Sequence, residues 1–338
     1  MLIGKRYDLN APTMKREPQD REATVESQFA HELKKLAPEQ RFGAAKIAEI
    51  AADILLRRAG TGEAASPDAF RQELLNTGWG IIRAQPTMAP LVNLVSNVLW
   101  KVEQAETPRE LRQAVATVTN DFKRQLRQHA VHVAEGALNL IEDGSTVVTL
   151  SISTTVQYAL SHAQRAGRRF SVICAESRPI CEGRQTAEAL ASLGIPVTLV
   201  VDAAALAAIP HAQVVLVGAD MLSHCGLVNK VGTLAFATMA RANSIPFYTL
   251  CGSAKFLPAT FQPPAPHTPP AHEVWDRRWN GVEVLNQAHD TTPLELINGI
   301  VTERGTLPVA AVEGWLAALR LHPALTMPDL VEHISILT

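Results

Sequence analysis

The sequence carries no surplus of positive charge. Lys and Arg number 31 against 33 Asp and Glu, and the formal net charge is −2. No dense Lys/Arg block occurs, so the electrostatic footprint of a nucleic-acid binder is missing. Aromatic residues make up only 5%, which argues against base-stacking platforms for single strands. Cysteine is scarce: Cys174, Cys181, Cys225 and Cys251 form no Cys-x-x-Cys pair and have no His cluster beside them. No zinc or other metal site is therefore expected, and reduced thiols fit a cytoplasmic chain. The opening MLIGKRYDLN lacks the apolar core of a signal peptide. Residues 144–164 contain no Asp, Glu, Lys or Arg, but their many Ser and Thr make them too polar to span a membrane. No Gly-x-Gly-x-x-Gly follows an expected strand and no Walker phosphate loop is present, so no cofactor is expected.

What remains is a globular composition, 47% hydrophobic and 19% charged, over 338 residues. That length suggests about two domains. Residues 1 to about 30 are polar and aperiodic and read as an arm. A helix follows on Ile47, Ile50, Ala51, Ile54 and Leu55, spaced i, i+3, i+4, i+7 and i+8. Ser66-Pro67-Asp68 caps a second helix, expected to run to about Gly78. Leu91, Leu94, Val95, Val98 and Leu99 mark a third after Pro90, and Thr107-Pro108 opens a fourth. A separate helix is expected over 128–142.

At Asp143-Gly144 the pattern changes to short apolar runs alternating with helices. The runs are Thr146–Ile152, Phe170–Ala175, Val197–Val201, Val214–Val217 and Pro246–Leu250. Helices are expected near 153–166, 183–193, 203–208 and 228–243. Such alternation specifies a parallel sheet covered on both faces. The fold class is thus α/β: a helical N-terminal domain (1–142), then a doubly wound parallel sheet (143–338). Six prolines between 258 and 272 imply an extended loop. The tail from Thr291 returns to helical patterns.

In a doubly wound sheet, ligands bind where the strand carboxyl ends converge. The stretch from Gln213 to Thr233 supplies a buried strand, then Asp220, then Asn229 and Lys230 in the expected first turn of the next helix. A carboxylate there can move a proton, and a lysine with helix amides can hold a phosphate. Ser151 and Ser153 stand where another helix begins, suited to phosphate or to plain N-capping. Glu176-Ser-Arg178-Pro and Gly183-Arg184 place two arginines after a strand, for phosphate or for a surface ion pair. Asp202 ends the next strand. Lys255 follows Cys251-Gly-Ser-Ala. Acid–base residues among phosphate-binding groups, with no cofactor motif, suggest chemistry on a phosphorylated small molecule.

These blocks resemble one family. Glu176-Ser-Arg-Pro-x-x-x-Gly-Arg184, Gly194-Ile-Pro-Val197, Gly218-Ala-Asp220, Asn229-Lys-Val-Gly-Thr233 and Ile245-Pro-Phe247 are similar to its signatures. So are Gly43-Ala-Ala45, Pro86-Thr-Met-Ala-Pro-Leu91, Lys255-Phe-Leu-Pro258, Thr292-Pro-x-x-Leu-Ile297 and Thr302-Glu-Arg-Gly305. The family joins the alpha, beta and delta subunits of translation initiation factor 2B to two isomerases, of methylthioribose-1-phosphate and of ribose-1,5-bisphosphate. The resemblance spans roughly residues 40 to 320.

It implies that the sheet domain is Rossmann-like, with a sugar phosphate or nucleoside monophosphate held between it and the helical domain. It also implies a homodimer or higher homo-oligomer formed through the C-terminal domain. In the isomerases, the aspartate matching Asp220 and a cysteine in Thr-x-Cys-x-Ser move protons. Here that pattern reads Thr149-Leu-Ser151-Ile-Ser153, so serine replaces the cysteine. Serine is a far weaker acid than a thiol and needs a positioned base to carry a proton. The usual arginine before Pro86-Thr87 is Gln85, with Arg83 two residues earlier. The expected binding set is Arg178, Arg184, Ser153, Asn229, Lys230, Lys255, Gly43 and Arg83, with Asp220 and Ser151 as the catalytic pair. Two functions follow: an isomerase-like phosphosugar-binding protein, or a non-catalytic regulatory subunit using the same pocket.

Overall fold

The computed structural model describes residues 29–326, apart from 38–41, 62–63, 65 and 267. The expected N-terminal arm lies almost wholly outside the described residues. Beyond a short helix at 29–36, four helices precede the sheet: α1 (Ala44–Thr61), α2 (Pro67–Ala84), α3 (Ala89–Val102) and α4 (Pro108–Ala137). The Ser66 hydroxyl accepts the Ala69 N–H and caps α2, as its sequence implies. Thr107 and Glu110 form a reciprocal capping box at the start of α4.

The separate helix expected over 128–142 is instead the continuation of α4. Nothing between Phe122 and Ala137 breaks it: no proline intervenes, and the lone Gly136 falls at its end. At 30 residues, α4 is about 45 Å long. Its first half, with Leu111, Val115 and Phe122, packs in the helical core. Its last turns, with Val133, Ala134 and Ala137, pack under the sheet. One rigid rod thus joins both halves of the chain.

The main sheet has seven strands in the order β10-β9-β7-β4-β1-β2-β3. They are β1 (Thr146–Thr149), β2 (Ser171–Ala175), β3 (Val197–Val200), β4 (Val214–Val217), β7 (Phe247–Leu250), β9 (Gly299–Thr302) and β10 (Gly305–Leu307). All neighbours pair in parallel except β9 and β10. Burial alternates between two faces. Val147, Val214 and Leu216 face α5 (Thr154–Arg165), α6 (Gly183–Ser192) and the end of α4. Val148, Val215 and Val217 face α7 (Asp202–Ala208), α8 (Thr233–Ala242) and α9 (Val309–Ala318). At the centre of the sheet both faces are covered, which is why β4 is apolar at every position.

Two expectations fail in the second half. The tail is not purely helical: β9 and β10 form a hairpin around Glu303-Arg304-Gly305, where Gly305 has φ 104°. Asn229 and Lys230 do not open a helix. They end β6 (Gly226–Lys230), the middle strand of a small antiparallel sheet with β5 (Met221–Ser223) and β8 (His289–Thr292). Gly226, at φ 124°, turns the chain where an added Cβ would sit 2.4 Å from the Thr292 oxygen. Helix α8 begins only after Gly232, which has φ 105°. The proline-rich stretch is irregular, as expected, up to a short turn at Ala271–Glu273.

Candidate active site

In the strand order, β1 and β4 are neighbours whose chains depart toward opposite edges. The crevice beyond their carboxyl ends is the expected place for a ligand. Ser151 follows β1 and Asp220 follows β4, and both line one cleft there. Gly43, Gln85 and Met88 close it from the helical side, and Asn229, Lys230, Ala288 and His289 from the small sheet. The Asp220 carbonyl accepts the Ala89 N–H at 3.0 Å, tying the strand end to the first turn of α3.

Ser151 is held on every side. Its backbone is left-handed, φ 63°, a conformation that costs a non-glycine residue about 1–3 kcal/mol. Its N–H donates to the Ser177 hydroxyl at 2.7 Å, and its carbonyl accepts the Thr186 hydroxyl at 2.8 Å. Its own hydroxyl donates to Glu182 Oε1 at 2.7 Å. Lys230 Nζ stands 3.0 Å from the same oxygen and 3.3 Å from Glu182 Oε2. Glu182 and Lys230 are 3% and 6% exposed, so this ion pair is buried. Such a pair is tolerated because each charge is matched and hydrogen-bonded.

Two more left-handed residues belong to the loop that carries Glu182: Ser177 at φ 65° and Cys181 at φ 58°. Asp202 straps that loop by accepting the Ser177 and Arg178 N–H groups. Gly183 makes the return possible, since a Cβ there would lie 1.9 Å from the Ala175 oxygen. On the opposite side, His289 Nε2 lies 3.4 Å from Asp220 Oδ2.

The expected residues separate into two groups. Gly43, Ser151, Asp220, Asn229 and Lys230 line the cleft; Arg83, Ser153, Arg178, Arg184 and Lys255 do not. Ser153 caps α5, its hydroxyl accepting the Val156 N–H. Arg184 pairs with Glu176 at 2.6 Å, and Arg178 donates to the Val274 carbonyl at 3.0 Å. The buried Lys255 ammonium donates to the Ala219 carbonyl. The first amides of α8, expected to face a phosphate, are taken by Asp290, which accepts from Gly232 at 2.7 Å and Leu234 at 3.2 Å.

The blocks seen in the sequence and the fold that carries them are shared with known proteins. The model of the Initiation factor 2 subunit family matches residues 40–309. The chain belongs to that family. It is 31% identical over 271 residues to the ribose 1,5-bisphosphate isomerase of Methanocaldococcus jannaschii, covering 79% of this chain and 87% of that one. It is 33% identical over 280 residues to the protein of the same name from Haloferax volcanii, covering 80% and 85%. Among solved structures, the Pyrococcus horikoshii translation initiation factor eIF-2B is similar, with a TM-score of 0.72 at 27% identity, covering 83% of this chain and 97% of that one.

In this member of the Initiation factor 2 subunit family, no cysteine lines the cleft. Burial pushes the Cys174 and Cys251 thiols up to about 12, which disqualifies both as proton carriers near neutrality. Cys181 lies on the Glu182 loop, and Cys225 is exposed in the β5–β6 turn. Sequence reading missed Glu182 and His289, and it named Gln85 only as the residue in place of an arginine while assigning the binding role to Arg83. Glu182 stands directly before Gly183-Arg184, inside a recognised block but at a position the block leaves open. His289 is a lone histidine, which carries no spacing signal. Gln85 is buried and donates to the Leu36 and Ala37 carbonyls, so it fixes the short helix at 29–36 against the cleft. Among the described residues, no three His, Cys, Asp or Glu are grouped as metal ligands, and no helix is long and apolar enough to cross a membrane.

Proposed function

We propose that this protein binds a phosphorylated pentose in the Ser151–Asp220 cleft and acts as an aldose–ketose isomerase of the ribose-1,5-bisphosphate type. The observation that carries this reading is the convergence of acid–base groups on one cleft. Ser151 with Glu182 stands on one side, and Asp220 with His289 on the other. An aldose–ketose interconversion needs one group to give a proton and another to take one. A pure binding site needs neither. The similarity to two proteins named ribose 1,5-bisphosphate isomerase supports the substrate class.

Charge shapes the binding mode. Within the cleft, the Lys230 cation is already matched by Glu182. A bisphosphate therefore competes with Glu182 for Lys230, the one lysine or arginine that lines the cleft among the described residues. Asn229 donates to the Thr233 hydroxyl at 3.0 Å and keeps a carbonyl oxygen for a sugar hydroxyl. The protein works in the cytoplasm as a homodimer or larger homo-oligomer.

A second reading rests on Ser151. Replacement of a thiol by a hydroxyl suits a regulatory subunit that binds a sugar phosphate or nucleotide without converting it. Phosphorus NMR separates the two. The purified protein is mixed in turn with ribose-1,5-bisphosphate, methylthioribose-1-phosphate and AMP. Conversion of a sugar phosphate to its ketose supports the isomerase. Line broadening without conversion supports the regulatory subunit, and no response to any ligand removes both.

A further inference from the structure

An isomerase built on this cleft faces a chemical gap, because Ser151 alone cannot hold or release a proton near neutral pH. Converting a ring-closed aldose 1-phosphate to a ketose requires a balanced set of bond changes. The bond between C1 and the ring oxygen breaks, and that oxygen takes a proton. The C2–H bond breaks and a C1–H bond forms, the hydrogen moving with its electron pair. The O2–H bond breaks as C2 becomes a carbonyl, and that proton needs a destination. C1 is reduced and C2 oxidised within one molecule, so no external oxidant or reductant is involved. Two proton carriers suffice, one giving and one taking.

We propose that Glu182 is the proton-taking group of this site, acting through the Ser151 hydroxyl. This rests on the isomerase reading given above. The geometry is that of a relay. Ser151 Oγ already donates its proton to Glu182 Oε1 at 2.7 Å, so its lone pairs are free to accept the substrate's proton. As the O2–H proton moves to Ser151 Oγ, the proton on that oxygen moves to Glu182. The hydroxyl is regenerated, and Glu182 ends protonated. Asp220, with His289 beside it, gives the proton to the ring oxygen. Both carriers then exchange with solvent to reset.

Three further observations favour a built relay over incidental packing. Glu182 is 3% exposed yet lines the cleft, so a buried carboxylate stands directly behind the Ser151 hydroxyl. Ser151 is locked by hydrogen bonds on its N–H, its carbonyl and its hydroxyl. Ser151, Ser177 and Cys181 are three of the four non-glycine residues with positive φ among the described residues, and all three surround this contact. Backbone strain concentrated in this way marks a functional site.

Lys230 flanks the relay on its other side, its ammonium 3.0 Å from Glu182 Oε1. The other ionisable groups lining the cleft are Asp220 at the end of β4 and His289 on β8. Glu182 is thus a positioning and proton-storing residue behind Ser151, and Ser151 touches the substrate.

The test uses the full-length protein and the variants Glu182→Gln and Ser151→Ala. Turnover of ribose-1,5-bisphosphate is followed by phosphorus NMR between pH 5.5 and 9, and binding is followed by calorimetry. The relay predicts that each variant loses about 100-fold or more in kcat, while Kd changes by less than about threefold for Ser151→Ala and does not weaken for Glu182→Gln, which frees Lys230. It also predicts that Glu182→Asp, which keeps a carboxylate, recovers part of the kcat that Glu182→Gln loses. Ser151→Ala leaves the Glu182–Lys230 pair intact, so it decides the matter if Glu182→Gln fails to fold. An active wild type with Ser151→Ala at full rate overturns the relay and leaves the isomerase standing. A wild type that binds the bisphosphate but never converts it overturns both.

Discussion

The Asp202 carboxylate accepts the Ser177 N–H at 2.7 Å and the Arg178 N–H at 2.8 Å. Asp202 begins α7, on the far side of the strand ends from Ser151. Through these two bonds it pins the left-handed turn from which the Glu182 loop departs. Ser177 then reaches Ser151, whose N–H it accepts. Asp202→Ala removes both acceptors and should cost about 1.5–3 kcal/mol in urea unfolding. Ligand affinity should fall with it, because the loop that positions Glu182 loosens. Unchanged stability would mean that the loop holds itself.

The buried Lys230–Glu182 pair predicts a non-additive cycle. Lys230→Met leaves a buried carboxylate without its cation, and the loss should be about 3–5 kcal/mol. The double variant Lys230→Met/Glu182→Leu removes both charges and should recover most of that loss. Urea midpoints of the wild type, both single variants and the double variant measure the coupling. Additive losses would show that the two side chains do not depend on each other.

Gly218 and Ser153 meet where β4 passes the start of α5. A Cβ at position 218 would lie 2.5 Å from Ser153 Oγ and 2.8 Å from its Cβ. Gly218→Ala should therefore cost about 1–3 kcal/mol through overpacking. Adding Ser153→Gly removes both obstructing atoms, and glycine at an N-cap costs only a few tenths of a kcal/mol. The double variant should melt above Gly218→Ala alone. If it melts lower, the strain lies in the backbone of 218 rather than at Ser153.

Acid should destabilise the fold in two stages through His129 and Glu303, whose side chains stand 3.7 Å apart. Burial holds His129 below its ordinary value of 6.5, against the pull of Glu303. Burial raises Glu303, but hydrogen bonds from Ser253 outweigh it and leave the carboxyl below its ordinary 4.5. Both pKa values are depressed by folding. Each contribution is therefore complete above the ordinary value and lost as pH falls through the folded one. The melting temperature should begin to drop below pH 6.5 and drop again below 4.5. His129→Gln should shrink the first step and Glu303→Gln the second. A wild-type melting temperature that stays flat between pH 7.5 and 5 would count against the His129 contribution.

Much of the architecture was legible in the residues. The runs at 146–152, 170–175, 197–201, 214–217 and 246–250 contain β1, β2, β3, β4 and β7, since short apolar-rich runs between helices mark the strands of a parallel sheet. Asp220 was placed at a strand end by its chain position alone. The misses share a cause. The Asn229-Lys230 segment has an apolar start and a helix after it, so local pattern favoured helix. The pairing partner that makes it a strand, β8, lies about sixty residues downstream. Likewise β9 lies beside β7, and its four residues were absorbed into the helical reading of the tail although Ile300, Val301 and Thr302 are β-branched.

The site divides along the same line. The sequence by itself determined which blocks recur: the Gly-Ala-Asp at a strand end, the Glu-Ser-Arg-Pro loop and the serine at position 151. Chain order and residue type settle these, because each is a local matter of backbone freedom and side-chain chemistry. Only the tertiary structure decided which of them meet. Glu182 reaches Ser151 across 31 residues and Lys230 across 48, while Arg184 turns to Glu176 and Asp290 fills the start of α8. The physical reason is that a buried charge must find a partner, and that partner is supplied by the folding of distant segments against one another. The identity of a residue tells what it can do, and the packed fold selects the atom it does it to.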